Sequence, residues 1–202
     1  LNSTKNYLIK VFKKNNIKDL PSEFLEFNNL LLAHDQRKLN IDLLVICTPS
    51  GMHSEQTILA ASFGINVCTE KPMALNIDDA EKMIKICKFN NVHLFVVMQI
   101  RFNNNILDLR KKIKEDRFGK IGIISLNLFW QRPQSYYDEA SWRGTLKLDG
   151  GVLMNQASHY IDLLEWLNGP IESVSALKAT VARNIESEDT AILNLKWLKG
   201  TL

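Results

Sequence analysis

The fold is decided by one stretch in the first half of the chain, Ile65-Asn66-Val67-Cys68-Thr69-Glu70-Lys71-Pro72. Its first four residues form a short, mostly apolar run that is typical of a buried strand. Pro72 biases the backbone of Lys71 towards an extended conformation. In open α/β sheets the ligand lies at the carboxyl ends of the parallel strands, so a lysine that directly follows a strand is a candidate site residue. Glu70 beside it is able to bind a ligand or to hold the ammonium group in place.

Two further apolar runs flank this stretch at the spacing of a parallel sheet. They cover residues 41–47 and residues 94–98. Between the three runs, residues 53–63 show helical spacing and stop at Gly64, and a second helix is expected to begin after Asn76. Alternating strands and helices at this spacing predict parallel pairing with right-handed crossovers.

The carboxyl ends of these strands meet at one edge of the predicted sheet. The residues that follow the strands are Thr48 and Pro49, Glu70 and Lys71, and Gln99. Since ligands bind at this edge in open α/β sheets, the sequence predicts a site there.

The second half of the chain has a different pattern, which predicts a domain boundary near residue 100. The expected elements are a helix, a strand, a second helix and two strands of an open, mostly antiparallel sheet. In order, they cover residues 104–116, 121–130, 152–168, 171–182 and 189–198. The predicted fold class is α/β, with a parallel-sheet domain over residues 1–100 followed by an α+β domain over residues 101–202.

A second candidate cluster runs from Gly150 to Asp162. The two glycines at its start let a backbone approach a ligand or turn sharply into a helix. Asn155 and His159 are four residues apart, which predicts that they share one helix face. A histidine can transfer a proton near neutral pH. The alternative is a histidine satisfied in the core between two domains, and spacing alone leaves both open.

Composition argues against several classes of function. The 202 residues carry 25 basic and 22 acidic side chains, and this mild net charge of +3 gives no case for binding nucleic acid or a membrane surface. No apolar run approaches the length of a membrane span, and no metal site is predicted. Cys47, Cys68 and Cys87 form no CxxC pattern, which predicts a reduced, cytoplasmic protein. Cys47 and Cys68 are expected in the core because they lie in apolar runs.

Four segments occur in a fixed order along the chain. They are Cys47 to His53, Glu70-Lys71-Pro72, Gln99 to Asn103, and Gly150 to Asp162. Together they resemble the glucose–fructose oxidoreductase and inositol dehydrogenase (Gfo/Idh/MocA) family of NAD(P)-dependent sugar oxidoreductases. The resemblance covers residues 41–202. It implies that the first domain is a partial Rossmann-type, dinucleotide-binding domain and that the second binds substrate and makes oligomer contacts.

A longer segment narrows the resemblance to one branch. It comprises Tyr136 to Thr145, Leu148 to Gly151, and Met154-Asn155-Gln156. It is similar to the branch that oxidises UDP-N-acetylglucosamine-type sugars at C3, including the UDP-N-acetylglucosaminuronate 3-dehydrogenases of O-antigen synthesis. Many family members have aspartate where this chain has Asn155, whereas this branch has asparagine. The implied substrate is a nucleotide sugar and the implied cofactor is NAD, with NADP as the alternative.

The resemblance also implies roles for individual residues. His159 would accept the hydroxyl proton, Lys71 would stabilise the same oxygen or relay its proton, and Asn155 would orient substrate or imidazole. Which of Lys71 and His159 is the formal base stays open. The implied cofactor contacts are Thr48, Pro49, His53, Glu70, Lys71, Gln99, Trp142 and Arg143. The implied substrate contacts are Lys71, Arg101, Tyr136, Asn155, Gln156 and His159.

The chain departs from the family near its start. The family begins with a strand and a glycine-rich turn that holds the pyrophosphate, whereas the first glycine here is Gly51. We therefore expect an incomplete chain that lacks the glycine-rich βαβ unit and the end of the second domain. Two alternatives stay open: a free-sugar or inositol dehydrogenase of the same family, and a non-catalytic binding module derived from this fold. The open final sheet predicts a homo-oligomer, a dimer or a tetramer.

Overall fold

The structure is a computed structural model that describes residues 2–15 and 22–202. It divides into two compact units, Leu1–Ile41 and Asp42–Leu202. The boundary that the sequence predicts near residue 100 lies inside the second unit, and it stays a prediction.

The first unit contains two helices among its described residues. α1 spans Asn2–Lys14 and α2 spans Phe27–Asp35. After α2, the backbone amide of Ile41 donates to His34 Nδ1 at 3.1 Å. None of the described helices in either unit has the length and apolar character that a membrane span requires.

The second unit begins with a three-stranded parallel sheet, as the sequence predicts. β1 (Leu43–Ile46), β2 (Asn66–Thr69) and β3 (Leu94–Val96) pair in that order. α3 (His53–Ser62) and α4 (Ile77–Phe89) connect the strands and pack against each other. Right-handed crossovers between consecutive neighbours place both helices on the same face of the sheet.

Local sequence explains where these helices begin and end. Asn76 Oδ1 accepts the backbone amide of Asp79 at 2.8 Å and so caps the first turn of α4. Gly64 follows α3 with a φ of +75°, the left-handed conformation that commonly ends a helix. The core of this layer includes the fully buried side chains of Ala60, Ala61, Ile65, Val67 and Met83.

The other face of the parallel sheet is exposed. Alternate strand residues point to the same face, so Cys47 continues the row of Leu43 and Val45, which are exposed. Cys47 is itself exposed, and Cys68, which pairs with Val45, is half-buried. The prediction that both cysteines lie in the core is therefore wrong, because the crossover helices cover one face only.

The second half of this unit confirms part of the prediction. α5 spans Asn104–Lys114, and a short helix, α6, spans Gln134–Asp138. β4 (Ile171–Ala179) and β5 (Thr190–Trp197) form the expected antiparallel pair.

The predicted strand over residues 121–130 is wrong, since these residues belong to no ladder among the described residues. The amide of Ile124 donates to the carbonyl of Leu202 at 2.8 Å, and the amide of Leu202 donates to that of Gly122 at 3.1 Å. A strand requires a partner along its length, and an alternating apolar pattern does not reveal one.

The predicted helix over residues 152–168 is two helices. α7 spans Gly151–Met154 and α8 spans Ser158–Asn168. Gly150 enters α7 with a φ of +84°, and Gly169 ends α8 with the same value. Residues 155–157 interrupt the helical path, which has direct consequences for the site.

Candidate active site

The carboxyl edge of the parallel sheet collects the residues that the sequence places there. Thr48 follows β1, Glu70 and Lys71 follow β2, and Gln99 follows β3. The amide of Glu70 donates to the carbonyl of Ile46 at 2.9 Å, so the pairing of β1 and β2 continues to the residue before Lys71.

Lys71 is the centre of the site. Its Nζ donates to the backbone carbonyl of Asn155 at 2.7 Å and to Asn155 Oδ1 at 2.9 Å. Burial lowers the pKa of Lys71, and the carboxylates of Glu70 and Asp149 act in the opposite direction. The ammonium group is thus held by two acceptors of one residue, the main-chain and side-chain oxygens of Asn155.

The interruption between α7 and α8 makes the contact with Lys71 possible. In a continuous helix, the carbonyl of Asn155 would accept the amide four residues later. Here the carbonyl accepts Lys71 Nζ and the hydroxyl of Ser158, the latter at 3.2 Å. The prediction that Asn155 and His159 share one helix is wrong, because Asn155 lies before the start of α8.

Asp149 supports Asn155 from the side opposite Lys71. It is only 1% exposed, and its carboxylate accepts hydrogen bonds from the side-chain amide of Asn155 and from the backbone amide of Gly144, the latter at 2.7 Å. Sequence reasoning assigned no role to this residue. Its position directly before the glycine turn is the signal that could have found it.

His159 lies in the first turn of α8 and is 8% exposed. Its Nε2 is 3.4 Å from the Gln99 side-chain nitrogen, which is long for a hydrogen bond. Its buried Nδ1 has no hydrogen-bond partner among the described residues. Burial and the charge of Lys71 lower the pKa of His159, while Glu70 and Asp162 raise it to a lesser extent. The net direction favours a neutral imidazole at pH 7, which is able to accept a proton.

His53 connects two loops at the carboxyl edge of the parallel sheet. It is fully buried, with Nδ1 2.8 Å from the carbonyl of Pro72 and Nε2 2.9 Å from that of Thr48. The ring therefore joins the loop after β1 to the turn after Lys71. Both ring nitrogens face backbone carbonyls, so the geometry gives His53 a positioning role, and its contact with the cofactor stays a prediction.

Arg101 is engaged within the protein. Its Nε donates to Asp162 at 2.7 Å, and an Nη2 contact completes a bidentate ion pair. The guanidinium group also lies 5.6 Å from the ring centre of Trp166, against which Arg110 stacks at 3.6 Å. The structure thus shows Arg101 joining the end of β3 to α8, and its contact with substrate stays a prediction.

A second cluster contains Tyr136, Trp142 and Arg143. The Arg143 guanidinium group lies 4.1 Å from the ring centre of Tyr136 and donates to Glu139 at 2.6 Å. Within the described part of the chain, no hydrogen bond or ion pair joins this cluster to Lys71 or His159.

Gln156 is buried and lines a cavity of about 90 Å³ together with Trp130, Arg132, Tyr137 and Arg183.

Two family models match the chain. The model described as GFO/IDH/MocA C-terminal domain matches residues 106–202. The model described as oxidoreductase family, NAD-binding Rossmann fold, matches residues 8–98.

Solved structures of two WlbA dehydrogenases are similar to the chain, and both hold NADH and UDP-GlcNAcA. The enzyme from Bordetella pertussis is 44% identical with a TM-score of 0.84, and the match covers 98% of this chain and 54% of that one. The enzyme from Chromobacterium violaceum is 43% identical with a TM-score of 0.83, and the match covers 96% and 54%.

Two curated relatives with lower identity are inositol dehydrogenases. The scyllo-inositol 2-dehydrogenase (NADP(+)) IolW of Bacillus subtilis is 30% identical over 86% of this chain and 49% of its own length. The myo-inositol 2-dehydrogenase of Thermotoga maritima is 25% identical over 81% and 48%. The chain therefore spans about half the length of the curated relatives it matches. On the two family models, the chain belongs to the Gfo/Idh/MocA family of oxidoreductases.

Proposed function

We propose that the protein is an NAD-dependent dehydrogenase that oxidises the C3 hydroxyl of a nucleotide sugar such as UDP-N-acetylglucosamine or its uronic acid. The observation that carries the proposal is the pair of hydrogen bonds from Lys71 Nζ to Asn155 at the carboxyl edge of the parallel sheet, with His159 close enough for the charge of Lys71 to lower its pKa. The identity of 44% to a dehydrogenase whose structure holds NADH and UDP-GlcNAcA supports the choice of substrate. We place the enzyme in the cytoplasm, where its three free thiols stay reduced.

The sheet edge fits the nicotinamide end of NAD. The buried Nδ1 of His159 without a partner among the described residues, and the exposed Gln99, leave polar groups for a ligand at this edge. A side-chain carbon at Gly51 would lie 2.0 Å from the carbonyl of Lys147, so glycine lets two loops of the edge pack backbone to backbone. Thr48, Pro49, Glu70 and Gln99 would hold the nicotinamide and its ribose. NAD supplies the hydride acceptor when it is bound.

The side chains of this site are suited to handle the proton of the reaction. Oxidation of a secondary alcohol requires the hydroxyl to lose its proton. The neutral His159 is the group that accepts it, because Lys71 is held as a donor by Asn155. The Lys71 ammonium group stabilises the negative charge that develops on the oxygen. Its lowered pKa also lets it relay the proton.

Turnover of variant proteins tests these roles. We expect Lys71→Met and His159→Gln each to lower kcat/KM for UDP-N-acetylglucosaminuronate by about 10²–10⁴-fold, the usual contribution of an acid–base group. Lys82→Met is the matched control, since Lys82 is an exposed lysine that pairs with Asp79 on α4. If both site variants retained turnover, the roles would be wrong. A protein that forms no NADH from any sugar would be the non-catalytic module instead.

A second candidate function is oxidation of an inositol. The inositol dehydrogenases among the curated relatives favour it. Measuring kcat/KM for UDP-N-acetylglucosaminuronate, myo-inositol, scyllo-inositol and glucose, each with NAD and with NADP, separates the two. We expect the nucleotide sugar with NAD to give the highest value, and an inositol in first place would overturn the substrate assignment.

We also propose that the protein is a homo-oligomer that associates through its C-terminal sheet. Leu177 on β4 pairs directly with Ile192 on β5, and the two side chains are 75% and 64% exposed. Paired apolar side chains on an open sheet face are typical of an interface. Light scattering should give a dimer or tetramer that Leu177→Glu weakens and that Ile77→Glu, the same kind of change at an exposed apolar residue of α4, leaves intact. A monomeric mass for the unmodified protein would contradict the proposal.

A further inference from the structure

A buried carboxylate that the proposed chemistry does not use lies behind Asn155. Asp149 makes its hydrogen bonds with the backbone amide of Gly144 and the side-chain amide of Asn155. A buried charge is unfavourable unless it is well paired, so its partners indicate what it is there to hold. Gly144 belongs to the loop that precedes Asp149, and Asn155 belongs to the site.

The side-chain amide of Asn155 lies between two groups of opposite hydrogen-bonding character. A carboxylate only accepts hydrogen bonds, and an ammonium group only donates them. Asp149 must therefore face the Nδ2 of Asn155, and Lys71 must face its Oδ1, as the 2.9 Å contact shows. Of the two possible flips of the amide, only this one presents an acceptor to Lys71.

We propose that Asp149 is a positioning residue for the reaction, which locks the Asn155 amide so that its Oδ1 holds Lys71 Nζ in place. This inference rests on the proposed function, in which Lys71 stabilises the substrate oxygen. Three titratable groups interact with Lys71 through their charges: Glu70, Asp149 and His159. Glu70 and Asp149 both raise the pKa of Lys71. Removing the charge of Asp149 leaves only Glu70 to raise it, so the pKa of Lys71 falls.

The first test is Asp149→Asn, which keeps the shape and removes the charge. The new amide has one oxygen for two donors, so it can accept from Asn155 Nδ2 only by turning its NH2 group towards the Gly144 amide, and the lock on the Asn155 flip becomes weak. We expect kcat to fall about tenfold with little change in KM, less than the 10²–10³-fold loss on removing an oxyanion donor. Competitive chemical labelling of Lys71, read by mass spectrometry, should show its ionisation at lower pH, and this readout needs no turnover.

The matched control is Glu186→Gln. Glu186 accepts a hydrogen bond from the backbone amide of Leu146 at 2.9 Å, so it supports the same loop as Asp149. It is not a site residue, and its carboxylate holds Leu146 instead of Asn155. We expect unchanged kcat and unchanged labelling of Lys71. If Asp149 only supported the loop, the labelling of Lys71 would be alike in the two variants.

A charge-swapped pair, Asp149→Asn with Asn155→Asp, provides the rescue. Asn155→Asp alone sets two carboxylates against each other, whereas the pair restores one donor, one acceptor and a single charge. The pair should recover most of the lost kcat, and it carries the test if either single variant fails to fold. If Asp149→Asn matched Glu186→Gln in kcat and in labelling, or if the pair were no better than the singles, the inference would be overturned. Unchanged turnover in Lys71→Met would instead defeat the proposed function, while the labelling shift would still decide what Asp149 does to Lys71.

Discussion

Residues 42–98 and residues 144–168 build the two sides of one site by different means. In the first region, the side chain or φ angle of a single residue explains where a helix begins or ends. Asn76 caps the start of α4, and Gly64 ends α3. In the second region, the path of the chain depends on contacts made far along the sequence. The interruption at Asn155 is stabilised by Lys71, which is 84 residues away. Local rules thus form the rigid edge, and long-range contacts place the groups that meet it.

The largest expected effect comes from comparing one glycine of each region. An alanine at Gly151 would have a φ of +87° and would meet the buried carboxylate of Glu188 at 2.4 Å, whereas at Gly64 it would meet nothing within 4 Å. We expect Gly151→Ala to lower the free energy of unfolding by about 2–4 kcal/mol, because strain and overpacking add. Gly64→Ala should cost about 1 kcal/mol through strain alone. Urea denaturation measures both, and equal losses would contradict the contrast.

A smaller effect is expected for Asn76→Ala in the first region. The substitution removes one cap from α4 and should lower the free energy of unfolding by about 1 kcal/mol. Since the Asn76 side chain bonds to Asp79, and to no site residue that the structure describes, kcat should stay unchanged in the same preparation. A loss of turnover beyond the loss of folded protein would show that the first region is less self-contained than we describe.

The smallest effect concerns the pH dependence of stability. The pKa of His159 is lower in the folded protein than the value of about 6.5 in an unfolded chain. The unfolded state therefore binds this proton more readily than the folded state does. The contribution of His159 to the free energy of unfolding is complete above about pH 6.5, and it is lost as the pH falls towards the folded-state pKa. Thermal unfolding from pH 7.5 to 5.5 should show a steeper decline for the unmodified protein than for His159→Gln. Parallel curves would mean that His159 is not held neutral.

The same contrast explains what could be predicted from the sequence. The parallel sheet, its two crossover helices and the final antiparallel pair follow from patterns within a few residues. Lys71 was identified because it directly follows a strand, and that position is a local property. The prediction that Asn155 and His159 share one helix was wrong, because nothing near Asn155 in sequence indicates that Lys71 takes its carbonyl.

The remaining misses have related causes. The apolar pattern of residues 121–130 describes side chains, while a strand is defined by a neighbouring backbone. Cys47 was expected in the core because a buried parallel strand is apolar on both faces, but only one face is covered among the described residues. Asp149 was given no role because its position before two glycines indicates a turn but not its partners, the Gly144 amide and the Asn155 side chain.

The two hydrogen bonds from Lys71 to residue 155 differ in what evolution can change. One uses a side-chain oxygen, which a substitution removes, and the other uses a main-chain carbonyl, which every amino acid carries. Position 155 can therefore drift between residue types while half of the anchor for the lysine persists. The bend of the backbone, and not the residue type at position 155, keeps that carbonyl within reach of Lys71.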